Sequence, residues 1–527
     1  MAQKNKVAMI VHNATIYTVD AAFSTADAMV IDKGKVVAVG NYSALKDKYE
    51  PGEALDAKGK FIYPGFIDAH AHFLGYGNSL QIVDLTGTKG WEEVLQRCLD
   101  FKKDDGKGWL TGRGWDQNDW VSKAFPDNSK LNELYPDRPV LLTRIDGHAA
   151  IANQKALDLA GIRTGDQMTG GEVEVKNGKL TGILIDNAIN LVESKIPAQT
   201  KEDFRTAIRD AEKNCLAVGL TTIVDCGLSS QDVEWIRELH SSNQLKMRLY
   251  VMLSDAKKNY DYLDKKGIIK TDRLHVRGFK LYGDGALGSR GACLLQPYSD
   301  KPGHYGFLLS NPSHYDSVAQ WISQRNFQMC THAIGDSGNR TILNIYGKYL
   351  KGKNDRRWRI EHAQVVNEDD FELFGKFSII PSVQPTHATS DMYWAGERLG
   401  KQREKGAYAF RRLKDQNGWI PLGTDFPVED ISPFKTFYAA VARKDSKGWP
   451  EGGYQPENSL TREDALRGMT IWAARSNFEE MEKGSLEPGK FADFIILDKD
   501  LLKTSESEIL QTKVLSTYIN GQNVFKL

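Results

Sequence analysis

Cysteine is scarce in this sequence, and the few cysteines present are not spaced for a shared site. The 527 residues contain five cysteines, an odd number with no C-x-x-C pair. This pattern excludes a disulfide framework and a zinc–thiolate site of the usual spacing. We therefore predict reduced thiols, most of them buried.

An excess of either charge and a long apolar run are also missing. Lys and Arg together number 69, as do Asp and Glu, so the formal net charge is zero. Nucleic acids and anionic membranes are bound by basic surfaces, so neither is expected as a partner. No apolar stretch approaches the ~20 residues of a membrane span, and the first residues contain no signal-peptide core. We predict a cytoplasmic protein that acts on a small-molecule substrate. A signal peptide already removed from this sequence is the alternative for its location, and a homodimer is left open.

Short β-rich segments occupy both ends of the chain. Lys33-Gly34 separates two β-branched runs, and Asn520-Gly521 is a strong hairpin signal near the other end. Each segment is too short to bury a core of its own. We predict that residues 1–64 and 484–527 form one composite β-sandwich, and two independent appendages are the alternative.

The middle of the chain, residues 65–483, alternates strand-like and helix-like stretches. The strand candidates are IYPGFIDAHAH, LTTIVDCG, LKMRLYVML, VRGFKLYGDG, FQMCTHAIGD, WRIEHAQ, SIIPSVQPTHAT and WIPLGTDFPV. Parallel strands separated by helices predict an α/β fold of the (β/α)8 or TIM-barrel type, in which active sites lie at the C-terminal strand ends. The connection after the first strand is far longer than a normal loop. Residues 74–210 are therefore predicted to be an inserted subdomain over the barrel mouth.

Four histidines stand at the C-terminal ends of predicted barrel strands: His70, His72, His332 and His362. His70 and His72 are two apart on a strand, so they point to the same face, where two imidazoles can converge on a metal. An H-x-H pair alone is weak evidence, and ordinary packing is the alternative. Asp425 ends the last strand candidate. A carboxylate there can hold a metal and take a proton from its water, or it can cap a helix.

The fourth strand candidate has two unusual features. Lys280 lies inside an otherwise apolar run, and a buried lysine is costly unless it is paired or modified. A lysine that extends to solvent is the alternative. Residues 283–288 match the G-x-G-x-x-G dinucleotide motif, but the continuation is too rich in Pro and Gly for the helix that this motif must open. A nicotinamide cofactor is therefore not expected.

In combination, these motifs are similar to those of a known family. PGFIDAHAH resembles the first-strand signature of the amidohydrolase superfamily. FKLYGDGALGSRGACLLQPYSD, THAIGD, RIEHAQ and LGTDFPV resemble later signatures of its amidohydrolase-3 branch, which contains N-substituted formamide deformylase-like metal-dependent hydrolases. RIDGHAAIANQKALDLAGI and KLTGILIDNA, both in the insertion, resemble the same branch, and the similarity continues to EPGKFADFIILD. The resemblance implies a (β/α)8 barrel with a composite β-sandwich and a divalent-metal hydrolase site.

The resemblance also implies roles for individual residues. The positions that match the metal ligands of the family are His70 and His72 for the more buried metal, His332 and His362 for the more exposed one, and Lys280 and Asp425. Lys280 stands where relatives can carry a carboxylated lysine that bridges two metals. Asp425 would be both ligand and general base. Zinc is the expected metal, as one or two ions.

Five residues are expected to contact the substrate: Trp115, His148, Asp186, His387 and Phe426. His148 would reach from the insertion to hydrogen-bond the substrate carbonyl, or it would cap its own loop. Asp186 and Phe426 stand where many relatives have Glu and Trp. The aromatic residues near the barrel mouth predict a hydrophobic substrate; alternatively, they only hold the insertion to the barrel.

The sequence thus predicts a metal-dependent hydrolase of a non-peptide C–N bond, in an amide, formamide or cyclic amide, that uses metal-activated hydroxide. Asp425 and His148 are the predicted catalytic residues. The alternative is an amidohydrolase-like barrel that has lost catalysis and serves as a binding or regulatory protein. Metal analysis separates the two, since a degenerate site would purify without stoichiometric metal.

Overall fold

The computed structural model describes residues 4–102 and 108–527. The strands of that part of the chain are β1 (Asn5–Tyr17), β2 (Thr25–Asp32), β3 (Lys35–Gly40), β4 (Tyr49–Pro64), β5 (Phe66–Ala71), β6 (Val83–Asp84), β7 (Leu110–Trp115), β8 (Val140–Arg144), β9 (Ala149–Ala152), β10 (Gly171–Lys176), β11 (Lys179–Asp186), β12 (Leu220–Leu228), β13 (Arg248–Ser254), β14 (Ile269–Lys270), β15 (Leu274–Tyr282), β16 (Gln328–Ala333), β17 (Arg359–His362), β18 (Ile380–Ser382), β19 (Phe494–Leu497), β20 (Val514–Ile519) and β21 (Gln522–Lys526). The α-helices are α1 (Tyr42–Lys48), α2 (Phe73–Ser79), α3 (Trp91–Leu99), α4 (Ser129–Leu134), α5 (Gln154–Ala160), α6 (Asn187–Glu193), α7 (Lys201–Ala217), α8 (Ser230–Ser241), α9 (Lys257–Lys266), α10 (Pro312–Ser323), α11 (Asp336–Leu350), α12 (Phe371–Lys376), α13 (Pro385–Asp391), α14 (Ala395–Glu404), α15 (Phe410–Asn417), α16 (Pro433–Ala442), α17 (Arg462–Gly468) and α18 (Ile471–Ser476). Short 3-10 helices cover Gln117–Asp119, Glu368–Asp370, Pro456–Asn458 and Glu506–Gln511. None of these described helices has the length and apolar content needed to cross a membrane.

Both ends of the chain enter one sheet, with the strand order β21-β20-β19-β4-β1-β2-β3. Strand β19 pairs antiparallel with β4, so Phe494 lies opposite Pro64. The two predicted hairpins are present. Lys33-Gly34 joins β2 to β3 and Asn520-Gly521 joins β20 to β21, with φ between 48° and 76° at all four residues. Such positive φ values suit the two-residue turns that match the strand twist. The expectation of one composite β unit is confirmed, while its boundaries at residues 64 and 484 stay a prediction.

A parallel sheet forms the barrel, in the order β18-β17-β16-β15-β13-β12-β5. The gap between β18 and β5 is filled by the segment after α15. The N–H of Gly423 donates to the carbonyl of Val383, and the N–H of Ala69 donates to the carbonyl of Leu422. Pro421 has no N–H to donate, which keeps this eighth segment from forming a regular ladder. The predicted (β/α)8 class is confirmed.

Capping residues fix where the helices around the barrel begin. Thr200 and Asp203 exchange side-chain-to-backbone hydrogen bonds at the start of α7, and Ser229 and Asp232 do the same at α8. These capping boxes satisfy backbone donors that a helix start leaves free. Helix α8 starts directly after β12, so the end of that strand is held at the rim of the barrel.

The long connection after β5 contains a second sheet, with the order β10-β11-β9-β8-β7-β6. It has its own hydrophobic core, which includes Trp115 and Trp120. The insertion predicted from the sequence is therefore a folded unit, and its exact limits of 74 and 210 stay a prediction.

A buried ionic junction joins the barrel to the terminal sheet. Arg248, at the start of β13, donates from Nε to Asp493 Oδ2 at 2.6 Å and from Nη2 to Oδ1 at 2.9 Å. Its Nη2 also donates to the side-chain oxygen of Asn520 at 2.6 Å. Arg248 is 0% exposed. Bidentate arginine–carboxylate pairs are among the strong hydrogen-bonded contacts, so this junction fixes the terminal sheet against the barrel.

Candidate metal centre

The residues that the sequence singles out as metal ligands meet at one end of the barrel. They come from the end of β5, from β15, from β16, from the end of β17 and from the closing segment, and are His70, His72, Lys280, His332, His362 and Asp425. All but His72 are buried. This is the C-terminal end of the strands, where barrel enzymes place their chemistry.

The tightest group consists of His70, His72 and Asp425. The Oδ1 atom of Asp425 lies 3.4 Å from His70 Nε2 and 3.3 Å from His72 Nε2. The backbone fixes this approach, since the N–H of Asp425 donates to the carbonyl of His70 at 2.7 Å and the N–H of His72 to the carbonyl of Phe426 at 2.8 Å. One ligand atom from each of the three residues lies within 4.8 Å of the other two. The geometry fits a divalent cation held by two imidazoles and a carboxylate.

A second group shares Asp425 with two further histidines. Ligand atoms of His362, His387 and Asp425 also lie within 4.8 Å of one another. The imidazoles of His362 and His332 are neighbours, with ring centroids 4.6 Å apart. His332 directs its Nε2 toward the carbonyl of Gly285 at 3.4 Å, and among the described residues it joins neither group.

The protonation states of these residues suit metal binding. Burial lowers the pKa of His72, and it lowers the pKa values of His332 and His362 well below the usual histidine range. Burial alone would raise the pKa of Asp425, but the close approach of His70 and His72 to its carboxylate holds it well below its usual range. Metals bind neutral imidazole and ionised carboxylate, so these four side chains are in the required forms near neutral pH. His70 differs, because burial opposes its charge but neighbouring anionic groups, Glu361 among them, raise its pKa well above the usual value. A metal bound there would have to displace the proton on its Nε2.

Two ligand histidines are oriented by residues that the sequence reasoning did not single out. Glu361 is wholly buried, and its Oε2 lies 2.5 Å from His70 Nδ1. His362 Nδ1 lies 2.7 Å from the side-chain oxygen of Gln384. A hydrogen bond at one ring nitrogen fixes the tautomer and leaves the other nitrogen for a metal. The signal for Glu361 was present in the sequence, because an acidic residue inside a buried strand needs a partner.

The backbone is strained at two of the proposed ligands. His362 has φ of 73° and Asp425 has φ of 63°, both in the left-handed region that residues with a Cβ avoid. Such conformations persist where the surroundings over-determine them and are common at functional sites. At Asp425 the surroundings include Asp68, which accepts the N–H of Thr424 at 3.1 Å and its hydroxyl at 2.7 Å.

Lys280 points into the centre rather than to solvent. Its Nζ lies 3.1 Å from His70 Nε2, and its exposure is 1%. The alternative of a lysine extending to solvent is therefore wrong. Carboxylation of Lys280 stays a prediction.

His148 reaches the centre from the insertion and is held by Asp186. Its Nδ1 lies 2.5 Å from Asp186 Oδ1, and its ring centroid is 5.0 Å from that of His332. The side chain of Asp186 has no exposed surface. A Cβ added at Gly285 or Gly291 would lie 2.3 Å from Asp186 Oδ2, so the glycines of this loop permit close packing on Asp186. Asp186 thus lies behind His148 rather than facing a substrate.

The other residues expected to contact substrate divide into two kinds. His387 lies in the centre, with Nε2 3.7 Å from Asp425 Oδ2. Trp115 and Phe426 are both 0% exposed. The indole N–H of Trp115 donates to the carbonyl of Leu142 inside the insertion core, and Phe426 packs edge-on against Tyr76. Both aromatic side chains are packing residues in this structure, and neither presents surface to a substrate.

Comparison with known proteins agrees with this geometry. A model of the amidohydrolase family matches residues 53–525. The chain belongs to the amidohydrolase family. The resemblance in its motifs is thereby confirmed.

Three similar proteins illustrate the range of the family. This amidohydrolase is 33% identical to Protein LONG AFTER FAR-RED 3 of Arabidopsis thaliana, over 98% of this chain and 91% of that protein. It is 27% identical to N-substituted formamide deformylase of Arthrobacter pascens, over 97% of each chain. A crystal structure of an uncharacterized metal-dependent hydrolase from Pyrococcus horikoshii OT3 superimposes with a TM-score of 0.77 at 30% identity, over 94% of this chain and 99% of that one.

Proposed function

We propose that this amidohydrolase is a metal-dependent hydrolase that cleaves a non-peptide C–N bond of a small molecule, in an amide, formamide or cyclic amide. The observation that carries the proposal is the convergence of His70, His72 and Asp425 at the C-terminal rim of the barrel. The similarity to N-substituted formamide deformylase supports the choice of bond.

The donor set fits a divalent cation, with zinc as the expected metal. Asp425 Oδ1 is buried without a hydrogen-bond partner among the described residues, although buried polar atoms are nearly always partnered. Two imidazole nitrogens lie within 3.4 Å of it. Nitrogen and carboxylate ligands of this kind are typical of catalytic zinc sites. Lys280, His332 and His362 border this group and would complete a site for one or two ions.

The residues of the chain have separate tasks in the proposed hydrolysis. A divalent cation held here supplies Lewis acidity and lowers the pKa of a neighbouring water. Asp425 accepts the proton of the attacking water at a carboxylate oxygen and returns it to the leaving nitrogen. Most side chains of the centre are buried, and low-dielectric surroundings strengthen these electrostatic interactions.

His148 is proposed to stabilise the substrate carbonyl as charge develops on its oxygen. Burial opposes a positive charge on His148, but Asp186 raises its pKa above the usual value. With Nδ1–H donated to Asp186, the protonated ring has a second N–H at Nε2 for the carbonyl oxygen. Asp186 is therefore a positioning residue. A donor aimed at a developing oxyanion is worth roughly 10²–10³ in rate.

The test combines elemental analysis with a substrate screen of N-formyl and N-acyl amines. The purified full chain is expected to contain divalent metal and to hydrolyse members of the panel. His72→Gln is the informative variant, because His72 is the most exposed of the proposed ligands, with 27% of its side chain accessible. It should lose both metal and activity while the thermal midpoint stays near that of the wild type.

His314→Gln is the matched control. His314 also pairs with a carboxylate, Asp255, at 2.6 Å, but its side chain is 42% exposed, and among the described residues it belongs to neither group of possible metal ligands. This variant should keep both metal and turnover. A wild-type protein that purifies without metal and binds none would contradict the proposal and favour the alternative of a binding or regulatory protein.

A further inference from the structure

An arginine of the insertion, Arg113, lies beside the segment that carries His148. We propose that Arg113 binds an anionic group of the substrate, so that this amidohydrolase prefers amides that carry a carboxylate. The inference rests on the proposed function, since it concerns what the same centre hydrolyses. It adds a charged group to the hydrophobic substrate expected from the sequence.

Arg113 is placed by the second sheet. It lies on β7, and its Nη2 donates to the backbone carbonyl of Ile145 at 3.0 Å. A Cβ added at Gly147 would lie 3.2 Å from the same nitrogen. Gly147 directly precedes His148, whose ring centroid is 5.0 Å from that of His332. The guanidinium therefore packs against the short turn that brings His148 to the metal centre.

The charge of Arg113 has no partner of opposite sign. Among residues 4–102 and 108–527 the guanidinium forms no ion pair within 4.0 Å, and its Nε is buried without a hydrogen-bond partner. Asp146 is close by in the turn, but its Oδ2 accepts from Arg144 and its Oδ1 accepts the N–H of His148 at 2.9 Å. Arginine stays protonated in proteins, and its planar fork matches a carboxylate. The insertion thus holds a cation whose counter-ion the described chain does not supply.

The surroundings of Arg113 include the metal centre. The residue is half-buried. Burial lowers the pKa of its guanidinium, and Asp425 is the strongest of the groups that oppose this shift. Electrostatic influence of this kind falls off with distance. A substrate at Asp425 is therefore within reach of the guanidinium.

Tyr282 offers an apolar surface in the same place. It ends β15, and 36% of the residue is exposed. Its ring centroid is 5.5 Å from that of His332 and 6.3 Å from that of His148. An exposed aromatic ring favours contact with a flat apolar group. Together with Arg113, it points to an amide with an apolar group and a carboxylate, which can lie on either side of the bond that is cleaved.

The experiment compares acidic and neutral substrates of matched shape in the metal-loaded full chain. N-formylphenylalanine and N-formylphenethylamine test a carboxylate on the amine side, and N-benzylsuccinamic acid and N-benzylbutanamide test one on the acyl side. In at least one pair, the wild type should show at least about 10-fold higher kcat/KM for the acid. Arg113→Gln should abolish that preference through a higher KM for the acid, while kcat/KM for the neutral partner stays unchanged. Arg113→Lys, which keeps the charge but not the planar fork, should retain part of the preference.

A binding measurement gives a second result that needs no turnover. In calorimetric titrations of chelator-stripped protein, the preferred acid should bind more tightly than its neutral partner, and Arg113→Gln should remove the difference. Arg277→Gln is the matched control. Arg277 is also a half-buried arginine, but it donates to Asn326 at 2.8 Å and stacks on Phe478, on the face of β15 opposite Lys280. This variant should keep the wild-type preference.

The outcomes separate this inference from the proposed function. A wild type that hydrolyses the neutral member of each pair as well as the acid would overturn the inference, even if the Arg113 variants fail to fold. An unchanged preference in folded Arg113→Gln would overturn it as well. A wild type that hydrolyses no amide contradicts the proposed function itself.

Discussion

Replacing Glu361 by glutamine isolates the contribution of a buried carboxylate to a metal ligand that it touches. Glu361 Oε2 lies 2.5 Å from His70 Nδ1, and both side chains are 0% exposed. Burial would raise the pKa of Glu361, but the contact with His70 holds it at about 2, so the carboxylate is ionised. Its negative charge makes His70 a stronger electron donor at Nε2. Glutamine keeps the shape and an oxygen acceptor but removes the charge.

The size of the expected loss in metal affinity follows from other proteins in which a carboxylate hydrogen-bonds a metal-binding histidine. Loss of such a partner typically weakens metal binding or activity by 10–100-fold, which corresponds to roughly 1.4–2.8 kcal/mol. Metal affinity is measured by competition with chelators of graded strength, and kcat/KM is measured on the best substrate of the N-formyl amine panel. Metal affinity and kcat/KM should fall together, because both depend on how strongly His70 binds the metal.

Glu479→Gln is the matched control for this prediction. Glu479 is another buried carboxylate near a histidine, with Oε1 3.4 Å from His275 Nδ1. It also pairs with Lys483 at 3.0 Å. Its partner His275 lies at the start of β15, whereas the proposed metal centre is at the C-terminal ends of the strands. This variant should lower the thermal midpoint and leave metal affinity unchanged. Wild-type metal affinity and turnover in Glu361→Gln would refute the reasoning, because they would mean that His70 needs no charged partner.

Further predictions concern proton transfer, packing and excess metal. Asp186→Asn should lower the pKa of His148, so that kcat falls about 10²-fold near neutral pH while the metal content stays unchanged. As pH rises, the variant should lose activity at a lower pH than the wild type, and an unaltered pH profile would contradict this. Trp115→Ala should cost about 3–5 kcal/mol of unfolding free energy in urea titrations, with the same ranking of substrates; a changed ranking would return Trp115 to the pocket. Excess Zn²⁺ should inhibit the wild type, because a further cation on Asp425 would leave no carboxylate oxygen free to accept the proton; full turnover in excess Zn²⁺ would contradict the role of Asp425 as general base. Dialysis against a chelator should abolish turnover and added Zn²⁺ should restore it; activity that survives complete metal removal would contradict the mechanism.

The parts of the fold that were predictable are those controlled by local sequence. Alternating strand and helix patterns located the barrel strands, and Lys33-Gly34 and Asn520-Gly521 located two hairpins that require positive φ. The closing segment around Pro421 was predicted as a strand, but its irregular pairing was not. Proline lacks a backbone N–H, and the segment forms only an isolated bridge, between Val383 and Leu422. Local sequence signals predict an element well when its hydrogen bonds are formed within it. They predict it less well when the hydrogen bonds must come from distant strands.

The site was predictable in its ligands but less so in the residues around them. His70, His72 and Asp425 carry motif spacing, and the structure brings them together. The role of Asp186 depends on His148, which lies in the turn before β9, and no spacing in the sequence indicates that pairing. Trp115 was predicted to contact the substrate because it is an aromatic residue in a glycine-rich segment. Its complete burial, which the sequence does not show, makes it a packing residue instead.

The junction between Arg248 and Asp493 constrains the order in which the chain assembles during synthesis. Arg248 lies at the start of a central barrel strand, but its carboxylate partner is translated almost 250 residues later, just before β19 joins β4. Until Asp493 leaves the ribosome, Arg248 keeps its hydrogen bond to the backbone carbonyl of Asp272 but lacks its carboxylate partner and the sheet that covers it. The nascent barrel is therefore expected to stay open at this end, exposed to chaperones and proteases, until translation is nearly complete.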